Sequence, residues 1–155
     1  MQLNTRHFGQ LEIDEKNIID FPEGLPGFEN AQKFVLIAGS EEILPFQWLQ
    51  CVNIAELAFV VVDPKFFKPD YIIDINDDEV ESLEIKDVNS VIVLCIVVVP
   101  DDVSQITANL KAPLLINTTV KRGKQVILEN RDYKIKHYIF QELKQREDEV
   151  CAGSY

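Results

Sequence analysis

The chain has 155 residues, of which 46% are hydrophobic and 26% are charged, and its formal net charge is −11. This length suits one domain with a single buried core, and the composition excludes a disordered chain. Residues 1–110 contain 6 basic and 20 acidic residues, whereas residues 111–155 contain 9 and 6. Because an acidic body repels phosphates, we expect no direct binding of DNA or RNA. A basic partner would suit such a body, but solubility alone is an equally good explanation of the charge.

Short apolar segments rich in Val and Ile predict a mostly β protein. The run 91–99 has few polar interruptions, so we predict a central strand buried on both faces and ended by Pro100. Gly123, in the polar connector 121–124, predicts a hairpin turn. Many short strands at regular spacing favour a compact, antiparallel β-barrel-like domain or a sandwich. The predicted strands cover residues 8–13, 34–37, 48–54, 58–62, 71–75, 91–99, 114–120 and 125–128.

Helical signals occur in only two segments. Asn76 is a predicted N-cap, because acidic residues follow it in what would be the first turn of a short helix. Val80 and Leu83 would then face the core. The second segment, about residues 138–146, is rich in Glu, Lys, Gln and Leu. We therefore predict one domain with one or two short helices over residues 1–146, followed by a flexible tail over residues 147–155.

The cysteines and histidines do not form a metal-binding pattern. Cys51, Cys95 and Cys151 lie far apart, no CxxC pair occurs, and only two histidines are present. Cys95 lies in an apolar run and is predicted to be a small core residue rather than a reactive thiol. The first residues lack an export signal, and the longest apolar run is too short to span a membrane. We expect a cytoplasmic protein without cofactor, metal or membrane contact.

Motifs for catalysis are missing from the sequence: there is no GxSxG, no phosphate-binding glycine loop and no HExxH. His7 and His137 are near opposite ends of the chain, and each is better explained as a surface or hydrogen-bonded histidine than as a catalytic base. The acidic run 77–84 lacks the spacing of a calcium loop. It is either a solvated helix face or a surface that meets a basic partner. Asp101-Asp102 belongs to the same surface or simply begins a turn.

Two further segments are open to a structural or a functional interpretation. Residues 21–29 (FPEGLPGFE) contain two prolines and two glycines, which give the backbone a fixed bend. Their apolar side chains either plug the end of the barrel or form a preformed ledge for a helix of a partner protein. Residues 45–50 (PFQWLQ) allow the same alternatives, because Trp48 suits both a core strand and a binding hot spot.

Five segments carry a further signal when they are taken in order: residues 21–29, 45–50, 57–64 (LAFVVVDP), 107–117 (TANLKAPLLIN) and 123–128 (GKQVIL). Each segment alone is a weak motif, but the ordered set extends from near the first strand almost to the tail. The set resembles the FliW family of bacterial flagellar assembly factors. His137-Tyr138 departs from a His-Pro pair that is common in the family, and Cys51 stands where a small polar residue is frequent.

The resemblance implies a cytoplasmic protein without enzymatic activity, with an antiparallel β-barrel-like fold and two protein partners. One partner is flagellin, bound near a terminal helical region before export. The other is CsrA, a dimeric RNA-binding protein that represses flagellin translation. In the family scheme, export of flagellin frees the factor, which then binds CsrA away from its RNA surface and antagonises it allosterically. We expect the free protein to be a monomer.

The candidate partner-binding residues come from the two open segments, from the acidic residues and from polar side chains at strand ends. We expect the acidic residues to keep RNA away from the repressor by electrostatic repulsion. A flagellin chaperone that ignores CsrA is one alternative, and a ligand-binding barrel or small metal-dependent enzyme is another. The candidates are Phe21, Pro22, Glu23, Leu25, Pro26, Phe28, Pro45, Phe46, Trp48, Gln50, Asp77, Asp78, Glu79, Glu81, Asp101, Asp102, Asn109, Lys111 and Asn117.

Overall fold

The computed structural model describes residues 1–38 and 45–152. No helix in these ranges is long and apolar enough to cross a membrane. The described strands are β1 (Gln2–Asn4), β2 (Gln10–Glu12), β3 (Ile19–Asp20), β4 (Lys33–Ala38), β5 (Gln47–Cys51), β6 (Ala58–Val62), β7 (Val91–Val98), β8 (Thr107–Ala108), β9 (Leu114–Asn117), β10 (Arg122–Gln125) and β11 (His137–Tyr138). Short 3-10 helices cover Glu15–Asn17, Pro64–Phe66, Asp77–Leu83, Val88–Ser90 and Val103–Gln105, and the α-helix α1 covers Ile139–Ala152.

Seven strands close into a barrel in the order β7-β6-β5-β4-β3-β10-β9, and β9 pairs with β7 again. This ring confirms the predicted barrel-like fold. Its pairings are antiparallel except for β3–β10, which is parallel and has the single register pair Asp20–Arg122. Strand directions cannot alternate around a ring with an odd number of members, so at least one parallel pair is unavoidable. β8 and β11 extend the sheet beyond the ring, and β1 with β2 forms a separate hairpin.

Two hydrophobic cores lie on opposite faces of the ring. Alternation along the strands separates them: Val61 and Leu94 belong to one core, and their neighbours Val62 and Cys95 belong to the other. The first core fills the barrel and includes Phe21, which packs edge-on against Phe34 with ring centroids 5.3 Å apart. The second lies against the outer face of β6, β7 and β9. Segments that follow β6 and β10, together with α1, cover the second core with Phe67, Tyr71, Leu83, Leu128, Tyr133 and Ile139.

The predicted central strand corresponds to β7. Its residues 91–94 pair with β9, residues 95–97 pair with β6, and residues 97–98 pair with β8. Leu94 and Cys95 are buried on its two faces, whereas Val98 at its end is 60% exposed. Burial raises the pKa of the Cys95 thiol to about 12, which confirms the prediction of an unreactive core cysteine.

A hairpin joins β9 and β10 as predicted, but its position differs from the prediction, and Gly123 does not form the turn. The strand predicted over residues 114–120 ends at Asn117, and the turn predicted at residues 121–124 lies at residues 118–121. The connection between β9 and β10 is made by residues 118–121, where Lys121 has a φ of +57°. Gly123 lies within β10, and a Cβ atom on it would be 2.5 Å from Cζ of Phe21. The position therefore requires glycine because an aromatic ring of the barrel core lies directly against the strand.

Other strand predictions were wrong in their bounds or their existence. Residues 71–75 form no strand, because Tyr71 turns into the outer core and its hydroxyl donates to the carbonyl of Leu110 at 2.6 Å. The segment 8–13 shortens to β2, which pairs with an unpredicted partner, β1. The strand predicted over residues 48–54 ends at Cys51. Of the strand predicted over residues 125–128, only Gln125 lies in a strand, as the last residue of β10.

Both predicted helical segments are helical, with differences in type and length. The acidic segment is a 3-10 helix, in which Asn76 takes the N-cap position without a capping side-chain hydrogen bond. Leu83 is 1% exposed and Val80 packs against the outer core, as expected. α1 extends to Ala152, so residues 147–152, predicted as part of the flexible tail, belong to this helix. Residues 153–155 lie outside the described ranges.

The contact between Gly123 and Phe21 predicts a stability effect. We expect Gly123→Ala to lower the free energy of unfolding by about 1–3 kcal/mol, because the added methyl group forces the Phe21 ring to shift in a packed core. Urea denaturation of the pure protein measures this. The same substitution in a Phe21→Leu background should cost clearly less, and an equal cost in both backgrounds would contradict the packing explanation.

Candidate protein-binding surface

The 3-10 helix Asp77–Leu83 places four exposed carboxylates close together in the chain. Asp77, Asp78, Glu79 and Glu81 are all exposed, while Leu83 anchors the helix in the outer core. None of Asp77, Asp78 and Glu81 forms an ion pair with another described residue. Their negative charges therefore act on whatever approaches this side of the molecule.

Asn117 holds the end of this acidic helix. Its side chain is 1% exposed, and Nδ2 donates to the carbonyls of Leu83 at 2.8 Å and Glu84 at 3.4 Å. Its Oδ1 accepts from the backbone N–H of Thr119 at 3.0 Å. Asn117 is thus a structural residue of the free protein, because buried polar groups need these hydrogen bonds.

Two cations of β10 hold the acidic helix along its length. Lys124 Nζ donates to the backbone carbonyl of Glu79 at 2.6 Å and lies 3.5 Å from the carboxylate of Glu23. Arg122 donates to the carbonyl of Ser82 at 3.3 Å and pairs with Glu84 at 3.4 Å. The two positive charges are thus engaged within the molecule. Through Lys124, the structure also brings the loop 21–29 next to the acidic helix, which the sequence alone did not predict.

Some residues of the loop 21–29 fit the plug interpretation of the sequence, and others fit the ledge interpretation. Phe21 and Leu25 are buried in the barrel core, as the plug interpretation requires. Pro22, Glu23 and Pro26 are exposed. Phe28 is 44% exposed and contacts Phe59 edge-on, with ring centroids 5.6 Å apart.

The loop backbone is held by a close approach at Gly24. Gly24 has a φ of +66°, and a Cβ atom on it would lie 2.6 Å from Cα of Glu29. The loop therefore presents its exposed residues from a backbone with little freedom.

Segment 45–50 is mainly structural. Gln50 is 1% exposed, and its Nε2 donates to the carbonyls of Cys51 at 3.0 Å, Ala55 at 2.9 Å and Leu57 at 3.2 Å. Its Oε1 accepts from the backbone N–H of Arg6 at 3.1 Å, which ties the β1–β2 connection to the barrel.

Residues 45–48 of this segment are half-buried, whereas Leu49 is fully buried. Trp48 stacks with His7 at a centroid distance of 4.0 Å, a contact that no sequence motif indicates. Pro45 is half-buried, and Phe46 packs against the outer core. These side chains therefore contribute mainly to packing and not to an exposed binding surface.

Asp101 and Asp102 lie in a different connection, between β7 and β8. Asp102 caps the 3-10 helix Val103–Gln105, since its carboxylate accepts from the N–H of Ser104 at 3.0 Å and from the Ser104 hydroxyl at 2.7 Å. These hydrogen bonds lower the pKa of Asp102. Val98 and Val103, close by in the chain, are 60% and 61% exposed. Among the described residues, no hydrogen bond or ion pair joins these aspartates to the acidic helix.

Asn109 and Lys111 stabilise the connection before β9. The Asn109 side chain accepts from the N–H of Ala112 at 3.0 Å, as the turn-capping interpretation predicts. The backbone carbonyl of Lys111 accepts from Leu128 at 2.7 Å.

The described residues include no group of three or more Cys, His, Asp or Glu side chains that could hold a metal ion. His137 stacks on Phe67 and lies 3.5 Å from Glu142, and burial lowers the pKa of His137. Burial also lowers the pKa of His7, which stacks on Trp48. Both side chains thus take part in local packing.

One surface feature escaped the sequence interpretation. Ile72 and Ile127 are 69% and 64% exposed and line a groove between residues 71–76 and 126–133. Both segments were predicted to contain strands, and neither was predicted to form a surface site. Residues 126–128 are three consecutive apolar residues, so the sequence alone gave no signal that Ile127 is exposed between buried Val126 and Leu128.

Comparisons with known proteins agree on one family. The model of the FliW protein family matches residues 2–139. The flagellar assembly factor FliW of Thermoanaerobacter pseudethanolicus is 46% identical over 93% of this chain and 96% of its own length. That of Geobacillus thermodenitrificans is 42% identical over 92% of this chain and 97% of its own. A crystal structure of the flagellar assembly factor FliW is 41% identical, with a TM-score of 0.83 over 90% of this chain and 97% of that chain.

The hydrogen bonds of Gln50 predict a large effect of a nearly isosteric change. Gln50→Leu removes the acceptor of the Arg6 N–H and the donor to three carbonyls, so we expect the free energy of unfolding to fall by about 1–3 kcal/mol. Urea denaturation measures this, and the Arg6 amide should exchange faster with deuterium. Gln10→Leu, at an exposed position of β2, should change stability by about 0.5 kcal/mol or less. Similar losses in both variants would argue against a special role of Gln50.

Proposed function

This chain belongs to the FliW family of flagellar assembly factors, and we propose that it acts by binding two proteins in turn, flagellin and CsrA. The observation that carries the proposal is the family match over residues 2–139, supported by relatives named flagellar assembly factors at up to 46% identity. In this proposal the protein is a cytoplasmic monomer without enzymatic activity. It binds no nucleic acid itself.

The proposed cycle couples flagellin synthesis to flagellin export. While flagellin accumulates, it occupies the factor and CsrA represses translation of the flagellin message. When flagellin leaves the cell, the free factor binds CsrA at a place other than its RNA surface and antagonises it, so translation resumes. One protein thus reports the amount of unexported flagellin to the translation machinery.

The acidic helix Asp77–Leu83 is the proposed cause of RNA displacement. Its three carboxylates without ion pairs give a concentrated negative charge, and the neighbouring cations of β10 are engaged internally. Exposed charges act over about a Debye length, near 10 Å at 0.1 M salt. RNA phosphates within that distance of the docked factor are repelled. Asp101 and Asp102, in the β7–β8 connection, are proposed to add to the repulsion.

The exposed part of loop 21–29 is the proposed contact for an apolar helix of flagellin. Pro22, Pro26 and Phe28 stand on a backbone that is restricted at Gly24, so little conformational entropy is lost when a partner docks. Phe21, Leu25, Gln50 and Asn117 are not part of this contact, because their side chains are buried in the free protein.

A chaperone that binds flagellin but ignores CsrA is the second candidate. The unpaired carboxylates of the acidic helix favour the two-partner proposal, because shielding apolar flagellin helices does not require them.

A binding competition separates the two candidates. We expect the purified protein to capture purified CsrA, and added flagellin to release it in proportion to its concentration. Isothermal titration calorimetry with each partner, alone and after saturation with the other, measures this. Absence of CsrA binding, with flagellin binding intact, would leave only the chaperone function.

Neutralising the acidic helix tests the electrostatic mechanism. We expect Asp77→Asn, Asp78→Asn and Glu81→Gln together to weaken displacement of a labelled RNA from CsrA about fivefold, taking about 0.3 kcal/mol for each charge. Flagellin binding should change less. A control with the same change of charge elsewhere, Glu15→Gln, Glu56→Gln and Glu147→Gln, should displace RNA like the wild type. Equal RNA displacement by all three proteins would reject the mechanism.

A further inference from the structure

A surface groove lies beside the acidic helix and is not used in the proposed repulsion of RNA. It has a volume of about 560 Å³. One wall is formed by residues 72–76 and the start of the acidic helix, and the other by residues 127–130. Residues 72–76 and residues 127–130 do not belong to any strand.

The groove combines apolar and negative groups. Ile72 and Ile127 are 69% and 64% exposed, which is costly for large aliphatic side chains that remain in water. The carboxylates of Asp74, Glu79 and Glu129 also line it, and its lining includes no Lys or Arg side chain. A ligand that fits must therefore offer both apolar surface and positive charge.

The floor of the groove is rigid. Leu128 and Tyr133 are 2% and 8% exposed, and the Tyr133 hydroxyl accepts from the backbone N–H of Ile72 at 2.9 Å. The N–H of Leu128 donates to the carbonyl of Lys111 at 2.7 Å. The first bond fixes the position of one wall relative to the other, and the second fixes one wall to the connection before β9. The groove is therefore preformed, and a ligand need not open it.

The backbone along one wall has free hydrogen-bonding capacity. The N–H groups of Asp74 and Ile75, two residues that line the groove, donate to no other described residue. Carbonyl groups of a peptide lying along the groove are suitable acceptors for such donors.

We propose that the groove between residues 71–76 and 126–133 binds a segment of a partner protein that combines lysine or arginine with large aliphatic side chains. Charge complementarity identifies the occupant, because three acidic residues line the groove together with the two exposed isoleucines. The inference deepens the proposed function, since it gives the acidic side of the molecule a direct contact with a basic partner. The inference rests on the proposed function only for the identity of the partner protein. The binding of a basic and aliphatic peptide to the groove can be tested without that function.

The test uses the full chain and a labelled ten-residue peptide of alternating lysine and leucine. We expect measurable binding by fluorescence anisotropy. Ile72→Ser with Ile127→Ser should weaken it at least about tenfold, and so should Asp74→Asn with Glu129→Gln. Glu15→Gln with Glu56→Gln makes the same change of charge elsewhere and should leave the affinity unchanged. Because all of these positions are exposed, the variants should unfold at the urea concentration of the wild type.

Two peptide controls and an NMR experiment sharpen the result. Peptides with glutamate in place of lysine, or serine in place of leucine, should not bind. In amide spectra of the labelled protein, the shifts should concentrate at residues 71–76 and 126–133. No binding, binding that the groove variants retain, or shifts spread over the acidic surface would overturn the proposal.

The same variants show whether the groove proposal or the proposed function is wrong. Wild-type capture of CsrA and flagellin, together with no groove-dependent peptide binding, would overturn the groove alone. Groove-dependent peptide binding without capture of either protein would overturn the proposed function and leave the site. If the isoleucine variants lose one of the two proteins and keep the other, the lost protein is the occupant.

Discussion

Closure of a seven-stranded ring at the pairing of β3 with β10 is the constraint on which the rest of the structure depends. The seam is short, with one register pair and the N–H of Asp20 donating to the carbonyl of Lys121 at 2.9 Å. It is supported from inside by Phe21, whose ring lies against β10 where Gly123 has no side chain. The next residue, Lys124, points to the surface and holds both the acidic helix and Glu23. Thus β10 closes the barrel and also positions the acidic helix.

The barrel uses both faces of its strands for burial, which explains how long connecting segments with no strand and no helix longer than a short 3-10 turn pack onto it. The outer face of β6, β7 and β9 is apolar, and the segments that follow β6 and β10 cover it with aromatic and aliphatic side chains. Tyr71 and Tyr133, with ring centroids 4.6 Å apart, join these two segments over the core. The proposed partner groove is the outer side of the same packing, since its floor consists of core residues.

Local patterns in the sequence were sufficient for elements that depend on their own residues. β6 was predicted with its observed bounds, because Ala58–Val62 is a continuous β-prone run ended by Asp63-Pro64. Val80 and Leu83 were assigned to the core from their spacing alone. The parallel seam, the contact of Gly123 with Phe21 and the hydrogen bonds of Gln50 join residues far apart in the chain, so no local pattern predicts them. Residues 71–75 have the composition of a strand, but packing on the outer core overrides that preference. In the candidate site, the acidic residues followed from composition, whereas their proximity to loop 21–29 depends on Lys124.

The position of β7 has a consequence for the proposed exchange of partners. β7 pairs with β6, β9 and β8 and is buried in both cores, so separating it from any one neighbour disturbs the ring and the outer layer together. Opening this strand requires close to the full free energy of unfolding, and partial opening of the barrel is therefore rare. The loop, the acidic helix and the groove therefore keep constant distances from one another. In the proposed exchange of flagellin and CsrA, any competition then arises from overlap or charge on a fixed surface rather than from a change of shape in the protein.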